Sequence, residues 1–305
     1  MTDRITPGML TGSTIADINS AYAALQRSAS ELSSGRKILE PSDEPYGASR
    51  IIDLQSQLDG LSSYTSSVQD ALSWETAAGG AMSNMNSILQ RVRELLVQAS
   101  NGTNSQSDLG AVAKEVTQLT EAVKQDANAQ YGGQYIFAGT ATNTPPYQSG
   151  EGNDSYAGNE GTVARAIAPG ASVIVSTNIA SVLGEGKAAG DGKLLDVLRT
   201  ISEHLNSGSA EAVKQLGTSD LHNLDAGIEA LAGLQAVAGG VTDQLQSASS
   251  RIESLQSSVT AALSSTADIN VPEATIAYSN EQAAYDAALR ASARIVQESL
   301  LNFLQ

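Results

Sequence analysis

Apolar and small residues recur at both ends of the chain at intervals of three and four. Near the start, Ile15, Ile18, Tyr22, Leu25, Ala29 and Leu32 form one run. At the far end Tyr285, Leu289, Ser292, Val296, Ser299 and Phe303 form another, with Leu300 added to the same seam. A period near 3.5 places each run on one narrow stripe of a helix. So narrow a stripe cannot build a globular core alone. The spacing therefore predicts that the terminal helices pair with each other or with further copies of the chain. The first helix is expected over 13–34, with Ser13 or Thr14 as its N-cap and Gly35 as its stop.

Pro41 and Pro45 forbid a continuous helix just beyond this stop. No proline follows from Ala48 to Gln130. Leu54, Leu58, Leu61, Val68 and Leu72, then Leu89, Val92, Leu96 and Ala99, keep a heptad-like face and predict one long helix from about 45 to 100. Asn101-Gly102-Thr103-Asn104 reads as a turn. Ser107-Asp108 starts a further helix, carried by Val112, Val116, Leu119 and Val123 to about Asn128. Helical signal returns at 194–198 and again over 219–267, where Leu245, Ala248, Ile252, Leu255, Val259 and Ala262 hold the stripe. Pro272 breaks that run and starts the last helix, because its missing N–H costs little in a first turn.

Residues 131–192 have a different texture. They hold 12 of the 27 glycines, and short β-like runs appear at Gln134–Ala138, Thr162–Ile167 and Ser172–Ser176. The order is thus helix, rod, β-rich insert, rod, helix. The expected fold is mainly α: a long antiparallel helical rod or coiled coil with both termini at one end and a small β-rich insert domain at the other. The expected division is 1–40 with 270–305 as a terminal coiled-coil assembly domain, 41–130 with 193–269 as a helical rod, and 131–192 as the insert.

Composition narrows the function. The formal charge of −16 argues against nucleic acid and against anionic membrane surfaces as partners. No cysteine is present, which excludes disulfides and thiolate chemistry. Met1–Leu10 carry no apolar stretch of signal-peptide length, so a cleaved secretory signal is not expected. His204 and His222 lack ligand spacing and read as surface or helix-face histidines. Gly186–Lys193 fails the phosphate-loop pattern, and the oxygen-rich turns at Glu151–Asp154 and Asn159–Gly161 lack the closing glutamate of a calcium loop. No nucleophile, base or metal constellation emerges, so neither an enzyme nor a cofactor site is expected. A signalling or adaptor coiled coil shares the Ala/Ser/Gln-rich helices, but such rods normally carry membrane spans and none is legible here.

The residues at the joints resemble a known family. Leu32-Ser33-Ser34-Gly35-Arg36-Lys37-Ile38, followed by Pro41-Ser42-Asp43-Glu44-Pro45, resembles the N-terminal signature of the bacterial flagellin family. Leu89–Leu95 with Asn104–Asp108 is similar to the flagellin rod segment, and Ala287–Leu289 with Ser299–Leu304 to the C-terminal helix. Gly132–Thr140 and Thr144-Pro145-Pro146-Tyr147 look like the hairpin of the family's hook–filament junction branch, hook-associated protein 3. The opening Arg4-Ile5-Thr6 suits that branch too.

The resemblance implies a structural subunit of the extracellular flagellum, exported through the flagellar type III apparatus. It implies self-association into a ring between hook-associated protein 1 and flagellin, and an export chaperone on the C-terminal region. A filament subunit is the alternative. In flagellins the segment matching Gln90, Arg91 and Leu95 is read by an innate immune receptor of animals; an ordinary rod helix with a polar face is the simpler reading here.

Overall fold

The computed structural model of the protein describes residues 7–101, 104–150, 154–186 and 190–303, and the side chains among them apart from those at 7, 8, 10, 11 and 295–303. The chain is mainly helical, and divides into two compact units. Residues 1–60 with 254–305 make the first, and 61–253 the second.

In the first unit, helix α1 (Pro7–Ser34) lies against helix α8 (Val271–Phe303). Already helical at Pro7, α1 carries Ser13 and Thr14 inside the helix, not at its cap. Proline suits such a first turn, so the helix outruns the expected start. Gly35 ends it as expected, at φ +70 with its N–H on the Glu31 carbonyl at 2.9 Å. The break before α8 closes against the break after α1. Arg36 pairs antiparallel with Asp268, Lys37 N–H donates to Ala267 O at 2.7 Å, and Ile269 N–H to Gly35 O at 3.0 Å. The two interruptions that the prolines and Gly35 impose are therefore one clasp.

The segment after Gly35 is ordered by Asp43. Its carboxylate accepts the N–H groups of Glu40 at 3.0 Å and Leu39 at 3.3 Å, and faces Arg27 at 3.4 Å. The Glu40 N–H and, further out, Arg27 hold the Asp43 carboxyl below its ordinary range. Ile38 is buried under this loop, where Gly47 leaves room for it: a Cβ at 47 would sit 2.5 Å from Ile38 Cδ1. Pro45 opens helix α2 (Pro45–Ala99), whose first part belongs to this unit.

In the second unit the rest of α2 packs with α3 (Gln106–Ala127), α5 (Leu194–Ser207) and the first part of α7 (Leu221–Ala267). Trp74, Met82, Met85, Leu89 and Leu96 of α2 are fully buried, together with Val116 and Val123 of α3, Leu198 and Ile201 of α5, and Leu224 and Leu231 of α7. Leu89, Leu96, Val116 and Val123 lie on faces that the spacing predicted, whereas Leu255 of the expected α7 stripe is 47% exposed. Helix α3 starts one residue before the expected Ser107, because Ser105 and Asp108 cap it reciprocally. Arg91 reaches Glu115 at 2.9 Å and Arg93 reaches Asp225 at 2.7 Å, which sets α3 and α7 beside α2. A short helix α6 (Ala210–Gln215) and a π turn over Leu216–Asp220 lead into α7.

The insert carries less sheet than expected. It holds two two-stranded antiparallel hairpins and a short helix α4 (Ala180–Leu183). Strands β1 (Gln130–Tyr131) and β2 (Gln134–Tyr135) turn at Gly132 and Gly133, both at positive φ. Strands β3 (Ala164–Ala168) and β4 (Ala171–Ile174) form the second hairpin. The run expected as strand over Gln134–Ala138 stops after Tyr135. Ile136, Phe137 and Ala138 instead turn inward and are fully buried.

Candidate assembly surface

Helices α1 and α8 run antiparallel, their backbones within 8 Å of each other along the pair. Tyr22 and Tyr285 meet across it with ring centroids 5.5 Å apart. On α1, Ile18, Leu25 and Leu32 are half-buried against the partner helix, as is Tyr285 on α8. Ser292 is buried, and its hydroxyl donates to the Ala288 carbonyl at 2.7 Å. Small residues at Ala288 and Ser292 let the helices approach.

The remaining seam residues face outward. Ile15 is 55% exposed and Leu289 41%, and Tyr22 keeps 47% of its surface exposed beside its contact with Tyr285. Leu289 follows Ala288 by one residue, so its side chain projects about 100° around the helix from the contact line. The side chains of Val296, Leu300 and Phe303 lie outside the described residues. Two helices side by side can cover only one stripe of each, which leaves much of the wider apolar face uncovered.

Ten of the thirteen large hydrophobic side chains that stay exposed among the described residues belong to this first unit. They include Met9 and Ile15 on α1, Val271, Ile276 and Leu289 on α8, and Leu39, Tyr46 and Ile52 at the clasp and the start of α2. An apolar groove of about 210 Å³ at the clasp is lined by Ile38, Leu39, Ile51, Ile52 and Leu263. A second of about 580 Å³ opens beside Tyr22, Leu25, Leu39 and Tyr278. Exposed apolar area concentrated in this way marks a surface made for contact with another molecule.

The segment Gln90–Leu95 is divided by its burial. Gln90 and Arg91 are exposed, and Arg91 is held by Glu115 and by Glu94 at 3.2 Å. Leu95 is only 2% exposed and belongs to the core of the second unit. A macromolecule reading this segment would therefore meet Gln90 and Arg91 but not the Leu95 side chain.

Two polar arrangements escaped the sequence reading. Lys124 is 1% exposed, yet it bonds Asp154 at 3.1 Å, Glu121 at 3.2 Å and the Gly150 carbonyl at 3.0 Å. Arg199 forks onto Asp154 at 2.7 and 2.8 Å and reaches Glu121 at 2.9 Å. This cluster pins the insert to α3 and α5. His204, on the face of α5, pairs with buried Asp220 at 2.6 Å. Neither arrangement has a sequence spacing that would announce it. The motif residues of the insert also serve packing. Tyr147 is fully buried with its hydroxyl on Gly184 O at 2.6 Å, and its backbone is paired on both sides with the Asn128 amide.

Among the described residues no group of three His, Cys, Asp or Glu side chains is placed to hold a metal, and no helix is long and apolar enough to cross a membrane.

Comparison with known proteins agrees with this geometry. Residues 6–142 match the family described as the bacterial flagellin N-terminal helical region. A flagellin of Clostridium tyrobutyricum is 38% identical over 110 residues, or 36% of this chain and 28% of its own length. A flagellin of Escherichia coli K12 is 36% identical over 123 residues, 40% of this chain and 25% of its own. The chain thus spans about a quarter of the length of the flagellins it matches. Among solved structures, a protein described as a flagellar hook-associated protein of Vibrio parahaemolyticus superimposes with TM-score 0.68 at 17% identity. That match covers 74% of this chain and all of the other. Flagellar hook-associated protein-3 of Legionella pneumophila gives 0.60 at 15% identity, covering 70% and 98%. Residues 6–142 are thus similar to the flagellin N-terminal region, and the fold is like that of these hook-associated proteins.

Proposed function

We propose that this chain is a structural subunit of the bacterial flagellum that joins the hook to the flagellin filament, assembling through α1 and α8. The observation that carries this reading is the concentration of exposed apolar side chains on the unit built from the two chain ends. A unit of that kind is incomplete alone and finds its remaining contacts in neighbouring subunits. Its role is structural and not catalytic, as for the flagellins it resembles.

In this reading Ile15, Ile18, Tyr22, Leu25 and Leu32 of α1, with Tyr285, Leu289, Val296, Leu300 and Phe303 of α8, form the assembly seams. Residues 1–40 and 270–305 act as the assembly domain, 41–130 and 193–269 as the rod, and 131–192 as the insert. Copies associate into a ring, with hook-associated protein 1 on one side and flagellin on the other. The protein reaches the extracellular flagellum by type III export without a cleaved signal, with a chaperone on its C-terminal region beforehand. A filament subunit is the second reading, favoured by 36–38% identity to flagellins over 110–123 residues. The junction reading is preferred because the insert's Gly132–Thr140 and Thr144–Tyr147 segments, which resemble the junction branch, are built into the core through Phe137 and Tyr147.

The test is a strain lacking the protein, complemented with wild type, Leu289→Ala, or Leu289→Ala with Phe303→Ala. Loss of the protein should leave hooks without attached filaments in electron micrographs. Leu289→Ala should shift the melt of the purified chain by no more than about 0.5 kcal/mol, since its side chain is exposed. The double variant should be secreted normally yet shed filaments. Normal filaments in the deletion strain would refute the reading.

A further inference from the structure

The antiparallel pair α1–α8 has two unlike edges. One is marked by the groove that Tyr22, Gln26, Ala29 and Ser33 of α1 share with Tyr278 of α8. Ile15 stands two turns before Tyr22, and Leu289 three turns after Tyr278, so both extend this edge. Both are exposed, and none of these seven residues is charged. The opposite edge reverses the pattern. Asp17, Ala24 and Glu31 follow one another at two-turn intervals on α1, about 160° around the helix from the Ile15–Tyr22 line. In an antiparallel pair the edges of the two helices correspond, which puts Glu273, Ala277 and Ala284 of α8 on the same side as these three. That side offers carboxylates with small residues between them. Glu31 is paired with Arg27, but Asp17 and Glu273 have no ion-pair partner among the described residues.

The two edges complement each other. Large side chains stand on the first and small ones on the second, as knobs require holes. Tyrosine hydroxyls stand on the first and carboxylates on the second. The Tyr22 hydroxyl accepts a hydrogen bond from Gln26 Nε2 at 2.7 Å, which leaves its own proton free to donate outward. Two acidic edges would repel each other, in a chain that already carries a formal charge of −16. The size of the face is adequate as well. The 28 residues of α1 span about 42 Å, and two helices side by side offer about 700 Å² on one side. A standard interface takes about 800 Å² from each partner.

We infer, on the subunit reading proposed above, that the Ile15–Tyr22–Leu289 edge of one copy seats against the Asp17–Ala24–Ala284 edge of a second copy. The contact joins unlike surfaces, so each copy keeps one edge free for a further neighbour. Repetition of such a contact closes into a ring and does not stop at a dimer.

The chain has no cysteine, so introduced thiols report single sites. Flagella from cells co-expressing Leu289→Cys chains and Ala284→Cys chains should yield a cross-linked dimer of the two with a short bismaleimide. Each variant expressed alone should yield only a trace. Charge supplies an independent readout at Ile15, whose exposure leaves the fold tolerant of substitution. Ile15→Lys should still be incorporated into flagella, because its ammonium would face carboxylates, whereas Ile15→Glu should be lost from them. Both purified variants should melt as wild type does. No cross-link in the mixture, dimers as abundant from either variant alone, or equal incorporation of the Lys and Glu variants would overturn the edge assignment and leave the subunit reading standing. A wild-type chain absent from isolated flagella would overturn both.

Discussion

Tyr22 of α1 and Tyr285 of α8 hold their rings 5.5 Å apart at an interplanar angle of 43°, so residues from opposite ends of the chain close the first unit between them. Such pairs are worth about 0.5–1.5 kcal/mol beyond the area they bury. A double-mutant cycle with Tyr22→Ala and Tyr285→Ala should return a coupling in that range by denaturant unfolding. Strictly additive losses would mean the rings are neighbours without interaction.

Glu75 sits on α2 with 3% of its surface exposed, and its Oε2 has no hydrogen-bond partner among the described residues. Burial pushes its carboxyl up to about 7 from an ordinary 4.5. Below the ordinary value both the folded and unfolded forms are protonated, and nothing is lost. Between that value and about 7 only the unfolded chain ionises, so stability falls as pH rises. The fall should total at most about 3 kcal/mol. Glu75→Gln should be more stable than wild type at pH 8 and equal to it at pH 4. Parallel urea curves across that interval would dismiss the effect.

Asp154 behaves in the opposite sense. Burial opposes its charge, but hydrogen bonds from Arg199 and Lys124 prevail and hold its carboxyl below the usual range. Its contribution is therefore complete above the ordinary carboxylate pKa and lost as pH falls through the depressed value. Asp154→Ala leaves Glu121 as the one carboxylate facing Lys124 and Arg199, with the Gly150 carbonyl still on Lys124, and should cost about 3–5 kcal/mol at pH 7. Chemical denaturation of the purified variant measures it. A cost under about 1 kcal/mol would show that water replaces the carboxylate readily.

Gln90 and Arg91 face solvent and Leu95 does not. If the animal receptor that reads flagellins also reads this chain, Arg91→Ala should abolish the response in a reporter cell. Leu95→Val should leave it intact, provided circular dichroism shows a native helix. A silent wild-type protein at high concentration removes the receptor from consideration.

The features legible in the sequence are those decided within a few residues. Gly35 stops α1 because it can adopt positive φ. Pro45 and Pro272 can only stand near the start of a helix. Asp108 marks the start of α3, although its capping partner is Ser105 and not the expected Ser107. Apolar spacing likewise marked which faces of α2, α3 and α7 enter a core. Tertiary structure decided what depends on remote partners. A 3–4 repeat fits Leu289 to the α8 seam as well as it fits Ala288. Only the close approach of α1 selects the smaller residue and turns Leu289 outward. Lys124, Asp154 and Arg199 are far apart in sequence, and His204 and Asp220 belong to different elements, so no local periodicity could join them. Local signals act through a residue's own backbone and neighbours. Charge pairing and face selection act through space, and become definite only when the folded chain brings their partners together.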